Sequence, residues 1–239
     1  MWDAQWRSFP GSHRVVRYDL RGYGRSPLRP GPYSHARDLV GVLEEVGPAA
    51  VVGVSMGGRA ALEAAVARPE LATALVVVGA GVPDHEWSDE MLAFDAEDEV
   101  LAERGEAEAY ADAKIRFWLD AGRPPDAVDA RVRELVREMI LRSFELQSAD
   151  SGAEGELLVP DVGERLGEIR VPVLVVVGEA DVSDIHANAD RLERDLPNAE
   201  RAVVPCAAHL PPLERPEEFD RVVLDFLGRV RDRQEHVSR

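Results

Sequence analysis

The sequence has a single cysteine, Cys206, few aromatic residues and no long hydrophobic run. One cysteine excludes an internal disulfide framework. No apolar stretch approaches the ~18 residues that a membrane-spanning helix needs. The first residues also lack the basic and apolar regions of a secretory signal. We therefore expect a cytoplasmic protein that does not cross a membrane.

Basic residues are scarce relative to acidic ones: Lys and Arg number 28 against 45 Asp and Glu, a net charge of -17. Such a surface repels phosphate backbones and anionic lipids, so neither nucleic acid nor a membrane is an expected partner. No His, Cys and carboxylate cluster has metal-ligand spacing, and we expect neither a metal nor a cofactor. The 239 residues are 45% hydrophobic, which is ordinary globular usage for one domain or for one domain with an insertion.

Short β-branched runs alternate with longer helical patterns through most of the chain. This alternation is typical of βα units around a mostly parallel sheet, and it predicts an α/β fold with helices flanking the sheet. The predicted strands cover 14–18, 50–54, 75–78, 171–177 and 202–204. The predicted helices cover 33–46, 56–67, 185–196 and an amphipathic segment that starts at Pro216.

The middle of the chain shows no pattern of a buried strand. Helical spacing covers 87–105, 106–119 and 127–146, with too many apolar residues for a solvated linker. We therefore predict a helical cap over 83–160, inserted between two parts of an α/β core at 1–82 and 161–239. The alternative is a set of core helices that lie on the sheet.

The segment Gly53-Val54-Ser55-Met56-Gly57-Gly58 has the Gly-x-Ser-x-Gly pattern of a nucleophile elbow. It lies between an apolar strand and an alanine-rich helix, which is the context such a turn requires. Small residues are needed there because the strand and helix backbones approach closely. The pattern predicts that Ser55 is a nucleophile. The alternatives are a turn that only permits tight packing, or a phosphate cradle at a helix N-terminus.

A serine nucleophile needs a histidine to accept its proton and a carboxylate to orient that histidine. His209 follows a short strand in a loop of small residues, and Asp181 follows the preceding strand. The neighbouring Glu179 and Asp184 are the other candidates for the acid. The structural alternatives are a solvated loop histidine and a helix-capping aspartate.

Two further residues carry weaker signals. His85 lies at the start of the predicted cap and is a candidate to line it. Cys206 is not expected to be a nucleophile, because no elbow surrounds it and His209 lies on the same short loop. A small packed residue is the simpler interpretation of this cysteine.

Together these motifs resemble the α/β-hydrolase superfamily, and most closely the 3-oxoadipate enol-lactonases and related small-molecule esterases. The resemblance covers 2–80 and 165–230. It rests on the serine motif, on Gly-Glu-x-Asp at 178–181, on Ala-Ala-His-Leu-Pro-x-Leu-Glu-Arg-Pro at 207–216 and on Asp-x-Arg-Gly-x-Gly-x-Ser at 19–26.

The resemblance implies an α/β-hydrolase fold and a role for each matching residue. Ser55 would be the nucleophile, His209 the general base and then acid, and Asp181 its orienting partner. The backbone N–H of Met56 would be one donor of the oxyanion hole. Cap residues such as Trp118 are candidates for substrate binding.

One part of the family pattern is missing at the front. In the family, a strand and a His-Gly loop precede the segment that Trp2 and Gln5 resemble, and that loop supplies the second oxyanion donor. We therefore expect a truncated N-terminus: Met1 is a mis-assigned start, or the chain is a fragment. If the chain is complete, another element must fill the gap, for example a strand exchanged between protomers.

The sequence predicts a serine hydrolase that cleaves a small carboxylic ester or lactone through an acyl-enzyme. Cofactor-free perhydrolase or haloperoxidase chemistry and C–C bond hydrolysis use the same three residues and stay open. A catalytically impaired binding protein of the same fold is a further alternative. A dinucleotide-binding domain is disfavoured because the glycines lack the G-x-G-x-x-G spacing. The sequence does not decide between a monomer and a homo-oligomer.

Overall fold

The computed structural model describes residues 1–148 and 152–237. Across these residues we find no helix that is both long and apolar enough to cross a bilayer. The strands are β1 (Gly31–Tyr33), β2 (Ala49–Val54), β3 (Ala72–Val78), β4 (Ala153–Gly155), β5 (Val173–Gly178) and β6 (Ala199–Val204).

The helices alternate with these strands. They are α1 (Gln5–Ser8), α2 (His35–Val46), α3 (Met56–Ala67), α4 (Asp89–Glu103), α5 (Ala107–Lys114), α6 (Ala130–Ser148), α7 (Ser183–Asp195), α8 (Pro211–Glu214) and α9 (Pro216–Val237). A π-helical turn, Ile115–Asp120, continues α5. Short 3₁₀ turns cover Phe9–Gly11, Pro69–Leu71, Pro125–Ala127 and Leu166–Glu168.

Four parallel strands form the main sheet in the order β2-β3-β5-β6. Side chains alternate across β3, so Leu75 and Val77 pack with α2, α3 and α7 on one face. Ala74 and Val76 pack with α9 on the other face. Because both faces are covered by helices, the central strands are continuous apolar runs rather than alternating ones. The predicted α/β fold with a parallel sheet between helices is confirmed.

The helices α4, α5 and α6 lie in sequence between β3 and β5; we call residues 89–148 the helical insertion. It has a small apolar core of its own, which includes Ile115, Leu119 and Val136. Beyond it, β4 pairs in parallel with β1. This three-residue strand was not predicted, since it is short and only partly buried.

The predicted strand over 14–18 is wrong. The segment has no regular structure, and the side chains of Val16 and Tyr18 are 50% and 39% exposed. A β-branched run becomes a strand only when a neighbour pairs with its backbone groups, and within the described residues no strand pairs with this one.

The predicted start of the helix at residue 33 is also wrong. Tyr33 belongs to β1, and α2 begins after Ser34, whose side chain accepts a hydrogen bond from the N–H of Arg37. A serine that caps the helix in this way fixes its first turn.

Candidate active site

Ser55 occupies the turn between β2 and α3 in a strained backbone conformation. Its φ and ψ are 53° and -116°, outside the regions that L-residues normally adopt. A Cβ added at Gly53 would lie 2.3 Å from the carbonyl oxygen of Gly57, so this turn requires glycine. The first helical residue, Met56, has a backbone N–H at the start of α3, where the helix has no partner for it.

His209 and Asp181 form a buried pair at the ends of β6 and β5. The Nδ1 of His209 lies 3.0 Å from Oδ2 and 3.2 Å from Oδ1 of Asp181. Their residues are 5% and 7% exposed, respectively. The backbone N–H of Val182 also donates to the Asp181 carboxylate, at 2.9 Å. A carboxylate held this way fixes the orientation of the imidazole through Nδ1. The other ring nitrogen, Nε2, makes no contact with the carboxylate.

Gly79, which follows β3, connects this pair with the serine turn. The backbone N–H of Ser55 donates to the carbonyl of Val78 at 2.7 Å. A Cβ added at the next residue, Gly79, would lie 3.0 Å from Cε1 of His209 and 3.4 Å from Oδ2 of Asp181. The residues that follow β2, β3, β5 and β6 therefore meet at one edge of the sheet, as parallel strands allow.

The structure thus brings His209 and Asp181 into direct contact and places Ser55 at the same edge. Within the described residues, the Ser55 hydroxyl makes no hydrogen bond to His209. Such a contact often tightens only when substrate is bound.

Trp118, in the π-helical turn of the insertion, covers His209. The two rings have centroids 4.2 Å apart at an angle of 35°. Phe94 and Phe117 pack around the indole. The insertion therefore forms one wall of the candidate site, and an aromatic side chain closes the site over the imidazole.

The other two acids that the sequence suggested have different partners. Glu179 accepts a hydrogen bond from the backbone N–H of Cys206 at 2.9 Å. Asp184 accepts from the hydroxyl of Ser88 at 2.5 Å and from its backbone N–H at 2.9 Å, and it lies 3.1 Å from Nε2 of His85. Neither acid contacts the imidazole of His209, and His85 belongs to the Asp184 cluster.

Asp184 stays ionised in this cluster. Burial acts to raise the pKa of its carboxyl group, but the two hydrogen bonds from Ser88 and the one from His85 outweigh burial and lower the pKa. The carboxylate is thus held as an acceptor that ties the start of the insertion to α7.

Sequence reasoning missed two contributors to the site. Gly79 has a positive φ of 55° at the end of a buried strand, and glycine is the residue for such a position. Glu214 accepts hydrogen bonds from the loop that carries His209. The sequence feature that could have pointed to it is its position in the His209 motif, five residues after the histidine.

A surface cavity of about 550 Å³ lies elsewhere, lined in part by Tyr18, Arg21, Arg37 and Val42. It contains none of Ser55, Asp181 and His209. It is therefore separate from the candidate site.

Comparisons with known proteins bear on the family. The alpha/beta hydrolase family model matches residues 1–222. A Caulobacter segnis protein named "Putative carbamate hydrolase RutD" is 32% identical, over 95% of this chain and 85% of that protein. The 3-oxoadipate enol-lactonase 1 of Acinetobacter baylyi is 25% identical, over 96% of this chain and 84% of that protein. The structure of a thermophilic esterase from Thermogutta terrifontis superposes with a TM-score of 0.77 at 27% identity, over 96% of this chain and 85% of that one.

Proposed function

The chain belongs to the alpha/beta hydrolase family, and from this premise we propose that it is a serine hydrolase of small carboxylic esters or lactones. In this proposal Ser55 is the nucleophile, His209 the general base and acid, and Asp181 the group that orients His209. The observation that carries the proposal is the buried His209–Asp181 pair beside a strained serine turn. The names of the relatives, an enol-lactonase and an esterase among them, support the substrate class.

The first half of the reaction forms an acyl-enzyme. Oγ of Ser55 attacks the carbonyl carbon while its proton passes to Nε2 of His209, and the carbonyl becomes an oxyanion. The Nδ1–H of His209 donates to Asp181, which stabilises the imidazolium. The C–O bond to the leaving group then breaks, and the leaving oxygen takes the proton from His209. From a lactone, that oxygen stays attached to the acyl chain.

The second half releases the acid. A water molecule gives its proton to Nε2 of His209 and attacks the acyl carbon. The bond to Oγ breaks, and Ser55 recovers a proton from the imidazolium. The backbone N–H of Met56 donates to the oxyanion in both halves, because it points from the start of α3 without a helical partner.

In the same proposal residues 83–160 act as a cap, and 1–82 and 161–239 form the catalytic core. Trp118 supports this role because its ring lies against His209. A side chain in that position limits the size of the acyl group that reaches the imidazole. The cap therefore selects the substrate, and the core performs the chemistry.

The proposal can be tested before any natural substrate is identified. The purified chain is treated with a fluorophosphonate and its intact mass is measured, with Ser55→Ala as the negative control. Ser88→Ala is the matched positive control, because Ser88 also lies beside a His–Asp pair, the partly buried His85 and Asp184. We expect one added label in the parent and in Ser88→Ala, and none in Ser55→Ala.

A panel of p-nitrophenyl esters and simple lactones then measures turnover of the same variants. Hydrolysis by Ser55→Ala at the rate of the parent would overturn the proposal, as would an unlabelled parent chain that unfolds cooperatively. Labelling with slow turnover of every ester and lactone would keep Ser55 as the nucleophile and reject the substrate class.

A further inference from the structure

The loop that carries His209 is held by the side chain of Glu214. Oε1 of Glu214 accepts hydrogen bonds from the backbone N–H groups of Ala208 at 3.0 Å and of Leu210 at 3.1 Å. These are the residues on either side of His209. One carboxylate therefore fixes the backbone before and after the proposed general base.

Glu214 is in turn held by Arg123, which lies between the π-helical turn and α6. The Nη2 atom of Arg123 donates to Oε2 of Glu214 at 2.6 Å and to the carbonyl of Leu119 at 2.5 Å. Its Nη1 donates to the carbonyl of Cys206 at 2.9 Å. The two charged side chains are only 15% and 3% exposed. A guanidinium at this position ties the insertion, Glu214 and the His209 loop together.

The third backbone amide of the loop is satisfied by the insertion itself. The N–H of His209 donates to the carbonyl of Trp118 at 3.3 Å. Three successive N–H groups, of residues 208 to 210, thus donate to acceptors outside the loop. Cys206 in the same loop has a positive φ of 57°, which a non-glycine residue keeps only when its surroundings enforce it.

We propose that Arg123 and Glu214 are positioning residues for His209, and that through them the helical insertion sets the rate of the chemical step as well as the choice of substrate. This inference rests on the proposed function, in which His209 moves the proton. The pair acts on the backbone of the loop, while Asp181 acts on the imidazole. Loss of the pair lets the loop shift as a unit, and the Nε2 atom moves away from Ser55.

The expected effect follows from the geometry of proton transfer. A displacement of 1 Å at a reacting group typically costs about 100-fold in rate. Substrate affinity depends mainly on side chains that are open to the substrate, and those of Arg123 and Glu214 are largely buried. We therefore expect kcat to fall by about 10- to 100-fold in Glu214→Gln and Arg123→Gln, with KM changed by less than about threefold. Arg123→Lys keeps the charge but not the planar fork and is expected to lie between these variants and the parent.

Two measurements on the folded chain separate positioning from a general loss of stability. The first is kcat and KM for p-nitrophenyl acetate together with the rate of fluorophosphonate labelling of Ser55. The second is hydrogen exchange of the backbone amides of residues 206–210 and 213, which are the N–H groups of the loop and of the start of α8. Arg137→Gln is the matched control, since Arg137 pairs with Glu108 and Asp112 on the exposed side of the insertion.

The proposal expects faster exchange in residues 206–210 and 213 and a lower kcat in both glutamine variants, at temperatures where each is fully folded. Unchanged kcat with faster exchange would overturn the catalytic role of the pair, and unchanged exchange would overturn its hold on the loop. If a glutamine variant fails to fold, Arg123→Lys supplies the same two measurements. A folded parent whose Ser55 is not labelled would instead contradict the proposed function, and exchange would still decide whether the pair holds the loop.

Discussion

Across residues 1–148 and 152–237, two histidine–aspartate pairs have acids three residues apart, and their surroundings differ. His209 and Asp181 lie at the sheet edge, with the ring of Trp118 over the imidazole. His85 and Asp184 lie where the chain leaves β3 for the insertion, at a distance of 3.1 Å. Each pair also has a serine nearby, Ser55 and Ser88 respectively.

The two serines differ in their contact with the neighbouring acid. The hydroxyl of Ser88 donates directly to Asp184, and Ser88 also caps α4 by accepting from the N–H of Met91. The hydroxyl of Ser88 is thus engaged by the carboxylate itself, and His85 contacts the same carboxylate. Ser55 has a strained backbone and no bond to a carboxylate among the described residues. In the proposed function this difference separates the two pairs, because Ser88 donates to the acid of its pair and Ser55 does not.

The largest expected difference between the two pairs is in turnover. Asp181→Asn should lower kcat for a p-nitrophenyl ester by about 10³- to 10⁴-fold, because an amide disfavours the histidine tautomer that accepts the serine proton. Asp184→Asn should change kcat by less than about threefold. The reverse ranking would reassign the acid to Asp184.

The effect on stability should be large at the Asp184 pair, where the effect on turnover is small. Asp184→Ala leaves the N–H of Ser88 and the ring of His85 without their buried acceptor, and we expect it to lower the free energy of unfolding by about 3 kcal/mol. The measurement is urea unfolding at pH 7. Asp126→Ala, at an exposed turn, is the control and should fall within about 0.5 kcal/mol of the parent. A comparable small change in Asp184→Ala would deny the cluster a structural role.

A smaller effect is expected at Ser88. Ser88→Ala removes the helix cap of α4 and one hydrogen bond to Asp184, which should cost about 1–2 kcal/mol of stability. Turnover should stay within about twofold of the parent at a temperature where the variant is folded. Thermal unfolding followed by circular dichroism checks the first value, and ester hydrolysis checks the second. A loss of turnover as large as that of Ser55→Ala would remove the distinction between the two serines.

The smallest expected effect is on the stability of the chain at acidic pH. The pKa of Asp184 in the folded chain lies below its ordinary value of 3.8, so near that pH the unfolded chain binds the proton more readily. Its contribution to stability is therefore complete above about pH 4 and is lost as the pH falls through the folded value. Urea unfolding at several pH values between 3 and 6 measures this contribution. In Asp184→Asn the free energy of unfolding should fall less steeply with decreasing pH than in the parent. An unchanged slope would indicate that other carboxylates set the acid stability.

The parts of the fold that depend on local pattern were predictable. The apolar runs of β2, β3 and β5 and the glycines around Ser55 carry their structure in the sequence itself. The segment 14–18 failed because a strand also needs a neighbour, which its own residues do not specify. His209 and Asp181 could be predicted to meet, since both follow strands of one parallel sheet.

The polar contacts that surround this pair could not be predicted. Arg123 and Glu214 are far apart in sequence, and no sequence pattern around either residue indicates that their side chains form an ion pair. The partners of Asp184 could not be predicted for the same reason. His85 and Ser88 follow β3, whereas Asp184 lies in α7, on the other side of the insertion in sequence. Such contacts depend on how the insertion lies on the core, and helical periodicity carries no information on that.

The direct pairing of β3 with β5 across the whole insertion has a consequence for chain entropy. The two strands match residue for residue from Leu75 with Val173 to Val78 with Val176, although the helical insertion lies between them. The entropic cost of closing a loop grows only with the logarithm of its length, at about 0.6 kcal/mol for each doubling. Lengthening or shortening the insertion therefore changes the free energy of pairing β3 with β5 only a little. The condition is that the link from Arg123 to the His209 loop is kept.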